Sequence, residues 1–259
     1  MREEALVHYR SEERPLLKRL HDLVARVEKT GRPALTEFLT PRERRMAEGA
    51  VKNTAVAFAG FGGYTGAERV RGCFYDAGDT PLQLNYQVAC LRVTFWSGDG
   101  FVRHGDVLGS LIGLGIERDR VGDIAILDSD AYIFCTETVA PIFLGQWTKA
   151  GRVTIVPRQI ELSQVPDIPA PKLDEKVFTL QSLRLDAYVA HAFGMSRAKA
   201  IEPIETGKVA LNFSPCTNPS TEIDVEDIIS LRGSGRTRVL SLEGESRSGR
   251  TFIRIGRYV

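Results

Sequence analysis

A chain of 259 residues with 43% hydrophobic and 26% charged residues is globular in composition and long enough for two or three small domains. That composition excludes a disordered chain. A formal net charge of only +1 excludes a general polycation, so any contact with nucleic acid has to come from local patches. The charge is uneven: +3 over residues 1–52, −4 over 53–177 and +2 over 178–259, which makes the middle acidic. The four cysteines, Cys73, Cys90, Cys135 and Cys216, stand far apart with no C-x-x-C pair, which argues against zinc and against a disulfide framework and fits a reduced cytoplasm. Residues 1–30 are charged throughout, and no run reaches the roughly 18 apolar residues of a spanning helix, so no membrane contact is expected.

The first segment, residues 1–52, reads as helical. Leu16, Leu17, Leu20, Leu23, Val24 and Val27 recur at helical spacing, and Gly31-Arg32-Pro33 stops the run. Thr40-Pro41-Arg42-Glu43 restarts a helix, with Thr40 as N-cap, Pro41 at N1 and an acid, Glu43, in the first turn. Its basic residues, Arg42, Arg44 and Arg45, read as a solvated face. Residues 56–76 predict strands or a hairpin.

Residues 53–164 predict an α+β domain. A strand over 88–96 is followed by a helix over 104–114, a hairpin of strands 123–127 and 131–135, a helix over 138–149 and a strand over 153–157. The order βαββαβ is the split arrangement of ferredoxin-like and RRM-like domains. Ala89, Leu91, Val93 and Phe95 share one face of the first strand, as do Ala131, Ile133 and Cys135 on the third, and these faces are expected to bury the helices. On the opposite face Tyr132 and Phe134 stand two apart. That spacing suits base stacking on an open sheet, although packing against a neighbouring domain is the commoner use of such aromatics.

The candidates for chemistry in this segment are weak. Arg103-His104-Gly105-Asp106 sets a His and an Asp two apart but lacks a third member, and a helix start explains Asp106. Gly60-Phe61-Gly62-Gly63-Tyr64-Thr65-Gly66 puts Thr65 where a dinucleotide loop needs its third glycine, and Gly109, Gly113 and Gly115 precede no Lys-Ser/Thr pair. No catalytic residue, metal ligand or cofactor is expected. Residues 165–177, with Pro166, Pro169 and Pro171, read as a stiff linker.

Residues 178–259 carry the clearest pattern. Leu185, Tyr188, Val189 and Ala192 mark a short amphipathic helix. After Gly194-Met195, Ser196 caps a second helix whose buried stripe holds Ile201 and Ile204 and which ends at Gly207. A strand at Lys208-Val209-Ala210-Leu211-Asn212 and another over 228–231 lead to the basic glycine turn Arg232-Gly233-Ser234-Gly235-Arg236. Pro203 inside the second helix predicts a kink near Ala200. Asp224, Glu226 and Asp227 predict an acidic rim that faces away from phosphate.

Residues 183–238 closely resemble the S4 domain, an RNA-binding module. With Leu35-Thr36-Glu37-Phe38-Leu39-Thr40-Pro41-Arg42-Glu43, His104-Gly105-Asp106-Val107-Leu108-Gly109, Gly113-Leu114-Gly115-Ile116-Glu117-Arg118 and Gly122-Asp123-Ile124, nearly the whole chain resembles the bacterial YlmH family. Some cyanobacterial and plastid members carry the label photosystem II S4 domain protein. The resemblance implies a non-enzymatic RNA-binding protein with a helical N-terminal region, an RRM-like middle and a C-terminal S4 domain, and a cytoplasmic monomer is expected. It implies rRNA and tRNA on the large ribosomal subunit as partners, in translation or rescue of stalled ribosomes. It places the RNA face on Arg184, Ser196, Arg197, Lys199, Lys208, Asn212, Arg232 and Arg236. An RNA-modifying enzyme, such as a pseudouridine synthase or methyltransferase with an S4 targeting domain, is the alternative.

Overall fold

A computed structural model of the chain describes residues 9–79, 84–95 and 102–259. It divides into two compact units, one of Glu12–Ala170 and one of Met1–Ser11 with Pro171–Val259. Each is α+β.

The first unit opens with α1 (Arg14–Thr30), whose buried stripe of Leu17, Leu20, Val24 and Val27 follows the helical period, and which ends on Gly31 at φ 63°. Strand β1 (Ala34–Leu39) precedes α2 (Pro41–Ala50), and β2 (Val56–Phe61) and β3 (Val70–Asp76) follow. Thr40 caps α2 as expected, and Glu43 completes a capping box: the Glu43 N–H donates to Thr40 Oγ1 at 3.3 Å, and the Thr40 N–H donates to Glu43 Oε2 at 2.7 Å. Two features differ from expectation. Residues 34–39 are not helical but form a strand in an antiparallel sheet of order β1-β3-β2, so this sheet draws on both sides of the boundary expected at residue 52. Arg42 is not solvated. It is 5% exposed, and its Nε and Nη2 donate to Glu13 at 2.9 and 3.2 Å.

The remainder of this unit is built from β4 (Val88–Thr94), α3 (His104–Ile112), β5 (Val121–Leu127), β6 (Asp130–Thr136), α4 (Ala140–Gln146), β7 (Lys149–Ala150), β8 (Val153–Thr154) and β9 (Arg158–Ile160). The four-stranded sheet runs β5-β6-β4-β9 with every pair antiparallel. This is the βαββαβ arrangement, with the first and third strands central. The final strand lies at 158–160, beyond the expected 153–157, because Val153 and Thr154 turn back on Lys149 and Ala150 in a small hairpin. Trp96, the end of the expected first strand, lies outside the described residues. One sheet face buries Ala89, Leu91, Val93, Phe95, Ala131, Ile133 and Cys135 against Val107 and Leu111 of α3 and Phe143 of α4, as the alternation predicts.

The opposite face is closed from within the unit. Tyr132 and Phe134 are 7% and 0% exposed and cluster with Val88, Cys90, Phe38 of β1 and Ile168. The Tyr64 ring lies 4.9 Å from that of Phe134, centroid to centroid. Asp123 fastens the Tyr64 loop, accepting from the Tyr64 hydroxyl at 2.9 Å and from the Glu68 and Arg69 N–H groups at 2.7 and 3.1 Å. The glycine run 60–66 is therefore a packing loop: Gly63, at φ +102°, brings its backbone so near Phe134 that a Cβ would stand 2.3 Å from the ring. Ile168 belongs to the stretch expected as a linker, which is packed rather than free at that point.

In the second unit, β10 (Leu173–Leu180) takes up the last five residues of the expected linker. It is followed by α5 (Leu185–Ala192), α6 (Arg197–Glu205), β11 (Val209–Leu211), β12 (Ser214–Pro215), β13 (Ile228–Leu231), β14 (Gly235–Glu245) and β15 (Thr251–Tyr258). A six-stranded sheet of order β10-β15-β14-β13-β11-β12 carries the two helices on the face that presents Val239, Ile253, Ile255, Ile229 and Leu231. Ile204 and Ala200 of α6 and Tyr188 of α5 are fully buried there, and the Tyr188 hydroxyl lies 2.9 Å from Thr237 Oγ1. Gly207 adopts φ +68° and ends α6. Pro203 sits inside α6 and lacks the N–H that would reach the Lys199 carbonyl, and the helix runs through it from Arg197 to Glu205.

Candidate nucleic-acid interface

The sequence-derived candidates fall into two groups and one exception. Arg184, Ser196, Arg197 and Lys199 gather where α5 and α6 begin. Ser196 caps α6 by accepting from the Lys199 N–H at 3.3 Å. Asp186, 3% exposed, holds the two arginines side by side. Arg184 Nε and Nη2 donate to its two oxygens at 3.2 and 2.9 Å, Arg197 Nη2 lies 3.1 Å from both, and the Ala187 N–H adds a bond at 2.7 Å. Each guanidinium carries five N–H donors, so several on each remain to face outward. The balance of charge stays positive: two arginines against one carboxylate, the Lys199 ammonium, and the positive end of the α6 dipole. Among the described residues Lys199 makes no ion pair.

Burial by itself raises the Asp186 pKa, but the hydrogen bonds from Arg184, Arg197 and Ala187 outweigh it and hold the carboxyl below its ordinary value. A carboxyl depressed in the folded state contributes stability above its unfolded pKa and loses that contribution as pH falls through the folded value. Wild-type stability therefore declines below about pH 4, and Asp186→Asn flattens this part of the profile while costing about 1–3 kcal/mol at neutral pH. Urea melts across the acid range check this; parallel profiles for the two proteins would contradict it.

Lys208 and Arg232 form the second group, at one end of adjacent strands, where the Arg232 N–H donates to the Lys208 carbonyl at 3.0 Å. Both are exposed, and Lys208 Nζ lies 3.7 Å from Glu202 Oε1. Arg236 is half-buried, with its guanidinium carbon 3.7 Å from the Tyr258 ring centroid in a cation–π contact. The nine residues of α6 separate Ser196 from this group by roughly 13 Å of helix.

Asn212 is the exception. It lies past the end of β11 at φ +48°, so strand alternation no longer decides its direction. Its Nδ2 donates to Asp227 Oδ1 at 2.8 Å and its Oδ1 accepts from the Ile228 N–H at 3.0 Å. The side chain clasps the fold and does not stand out of the strand beside Lys208, as alternation would place it. Asn212→Ala is expected to cost about 1–3 kcal/mol in urea unfolding and to leave RNA affinity within about twofold; a large affinity loss without loss of stability would restore it to the surface.

The expected acidic rim is also corrected. Asp227 is fully buried and accepts from Arg10, Asn212 and the Asp224 N–H, and Glu226 is paired with Arg238. Glu226 stands at φ +73°, where a glycine would be unstrained. Sequence reasoning missed Asp186 and Arg10 because each acts through a fold-dependent partner. In the middle domain Asp106 caps α3, accepting from the Arg103 N–H at 2.9 Å, as a helix start explains. Among the described residues no group of His, Cys, Asp and Glu is arranged to hold a metal ion, and no helix is long and apolar enough to cross a membrane.

Three family descriptions match the chain in series: "YlmH, N-terminal" over residues 12–75, "Putative RNA-binding domain in YlmH" over 81–164 and "S4 domain" over 183–229. The solved structure of "Cell division protein ylmH from Streptococcus pneumoniae" has a TM-score of 0.53 at 24% identity and covers 62% of this chain and 98% of its own, a likeness of fold. A relative from Bacillus subtilis (strain 168), "Ribosome-associated protein quality control protein P2", is 30% identical over 240 residues, 93% of each chain. With the α5–α6 geometry and the βαββαβ sheet, a match of this length leaves one assignment: the chain belongs to the YlmH family.

Proposed function

We propose that this protein binds structured RNA of the large ribosomal subunit, rRNA together with tRNA, during translation or the rescue of stalled ribosomes. It acts as a cytoplasmic monomer and as a binding protein, not as an RNA-modifying enzyme. The observation that carries the reading is the pair of guanidiniums held on Asp186 at the start of α6, next to Ser196 and the Lys199 ammonium. Such a surface meets phosphates through positioned N–H donors and reads shape more than sequence. The name of the Bacillus subtilis relative supports a ribosomal setting. The covered face of the middle-domain sheet supports assigning the main contact to the C-terminal domain, because Tyr132 and Phe134 are closed to stacking.

Ultraviolet crosslinking in cells, followed by mapping of the contacted nucleotides, tests the proposal. Crosslinks concentrated on large-subunit rRNA and on tRNA are expected, with the crosslinked peptides drawn from residues 184–236. Crosslinks confined to messenger RNA or to the small subunit would overturn it.

A further inference from the structure

Beside the α6 start lies a groove of about 490 Å³, lined by Ala190, His191, Gly194, Met195, Ser196 and Lys199. We infer that this groove receives one unstacked RNA nucleobase, with His191 reading an N–H on its edge. The inference rests on the proposed RNA-binding reading and deepens it, since Ser196 and Lys199 belong both to the groove and to the cationic surface.

The argument comes from how His191 is held. Its ring stacks on Phe178 of β10, with centroids 5.3 Å apart and planes 20° from parallel, and its Nδ1 lies 3.0 Å from the Ala187 carbonyl oxygen. A carbonyl only accepts, so the tautomer that makes this bond carries its proton on Nδ1 and leaves Nε2 as the acceptor. The ring is thus fixed in place and tautomer and presents a single acceptor. Every nucleobase offers an amino or imino N–H that such an acceptor can take once the base has left its stack. Ala190 and the Met195 thioether supply apolar contact of the kind a base face uses, and methionine adapts its shape to an aromatic surface. Gly194, at φ +69° with open space where a Cβ would stand, keeps the groove free of a side chain at the bend between the helices. The Lys199 ammonium at the rim matches the phosphate that any nucleotide brings, and continuity with Arg197 leads from the groove along the backbone of the same strand.

The test compares two probes on the full chain: an RNA hairpin with a single-stranded loop, and a blunt RNA duplex of equal nucleotide count. Fluorescence titration of each gives the affinities. His191→Ala and Met195→Ala are expected to weaken the hairpin about tenfold and to leave the duplex unchanged. Lys199→Glu is expected to weaken both. If His191→Ala disturbs the Phe178 stack enough to lower the melting temperature, Met195→Ala carries the comparison. Equal effects of the groove variants on the two probes, or no effect on either, would overturn the groove while Lys199→Glu still supports the RNA surface. If Lys199→Glu alters neither probe, or the wild-type chain binds neither, the RNA reading fails and takes the groove with it.

Discussion

On the proposed function, the full chain carrying Arg197→Glu and Lys199→Glu is expected to bind large ribosomal subunits roughly a hundredfold more weakly than wild type at physiological salt, with its log affinity depending less steeply on log salt, by about two units of slope. Two cations are removed from the surface proposed to meet phosphate and two anions added, so both the released counterions and the local potential change. The fold has reasons to survive. Both positions lie in the first turn of α6, where acidic side chains interact favourably with the helix dipole. Both side chains are exposed, and Asp186 keeps Arg184 as a partner when Arg197 is lost. Lys199→Glu alone isolates the surface effect, because Lys199 makes no ion pair among the described residues. Co-sedimentation with purified subunits over a salt series, with circular dichroism to confirm folding, reads the outcome. A folded double mutant that co-sediments as wild type does would refute the interface.

What the sequence made legible was coded locally. The Thr40 and Ser196 caps, the Gly31 and Gly207 stops and the period of α1 and α5 depend on residues within a turn or two of one another, and all form as read. The alternation along β4 and β6 was equally readable, because each strand is half buried on helices. The misses depend on partners far away in the chain. Arg42 looked solvated until Glu13 came across to it, and Asp227 looked like a rim acid because its counter-charge, Arg10, lies 217 residues earlier. β1 is six residues long between two prolines, and its partner β3 begins at Val70, so no local signal separates it from a loop. β9 reads Arg-Gln-Ile, without apolar alternation, and the more apolar Val153 drew the expected strand toward itself. Asn212 shows the limit within a single strand: one residue past its end, a positive φ turns the side chain inward.

The same distinction governs the aromatic pair on β6, where the type of residue was readable and its exposure was not. Phe134→Ala is expected to destabilise the chain by about 3–5 kcal/mol, the range for truncating a fully buried phenylalanine. The ring touches Tyr64 on one side and stands within reach of the Gly63 backbone, and Phe38 and Ile168 share its cluster, so the vacated space cannot collapse without moving two strands and a loop. Gly63→Ala attacks the contact from the other partner. Its methyl would meet the Phe134 ring at 2.3 Å and its backbone would be held at φ +102°, so overpacking and backbone strain add, at about 1–3 kcal/mol each. Combining the two changes removes the clash but not the strain, so the double mutant is less destabilised than the sum of the singles. Chemical unfolding of the four proteins measures this. Phe134→Leu, which keeps most of the volume, should retain wild-type affinity for RNA. If it instead loses affinity while melting like the wild type, the β6 face opens to bind, and the ring is a stacking platform as well as a core residue.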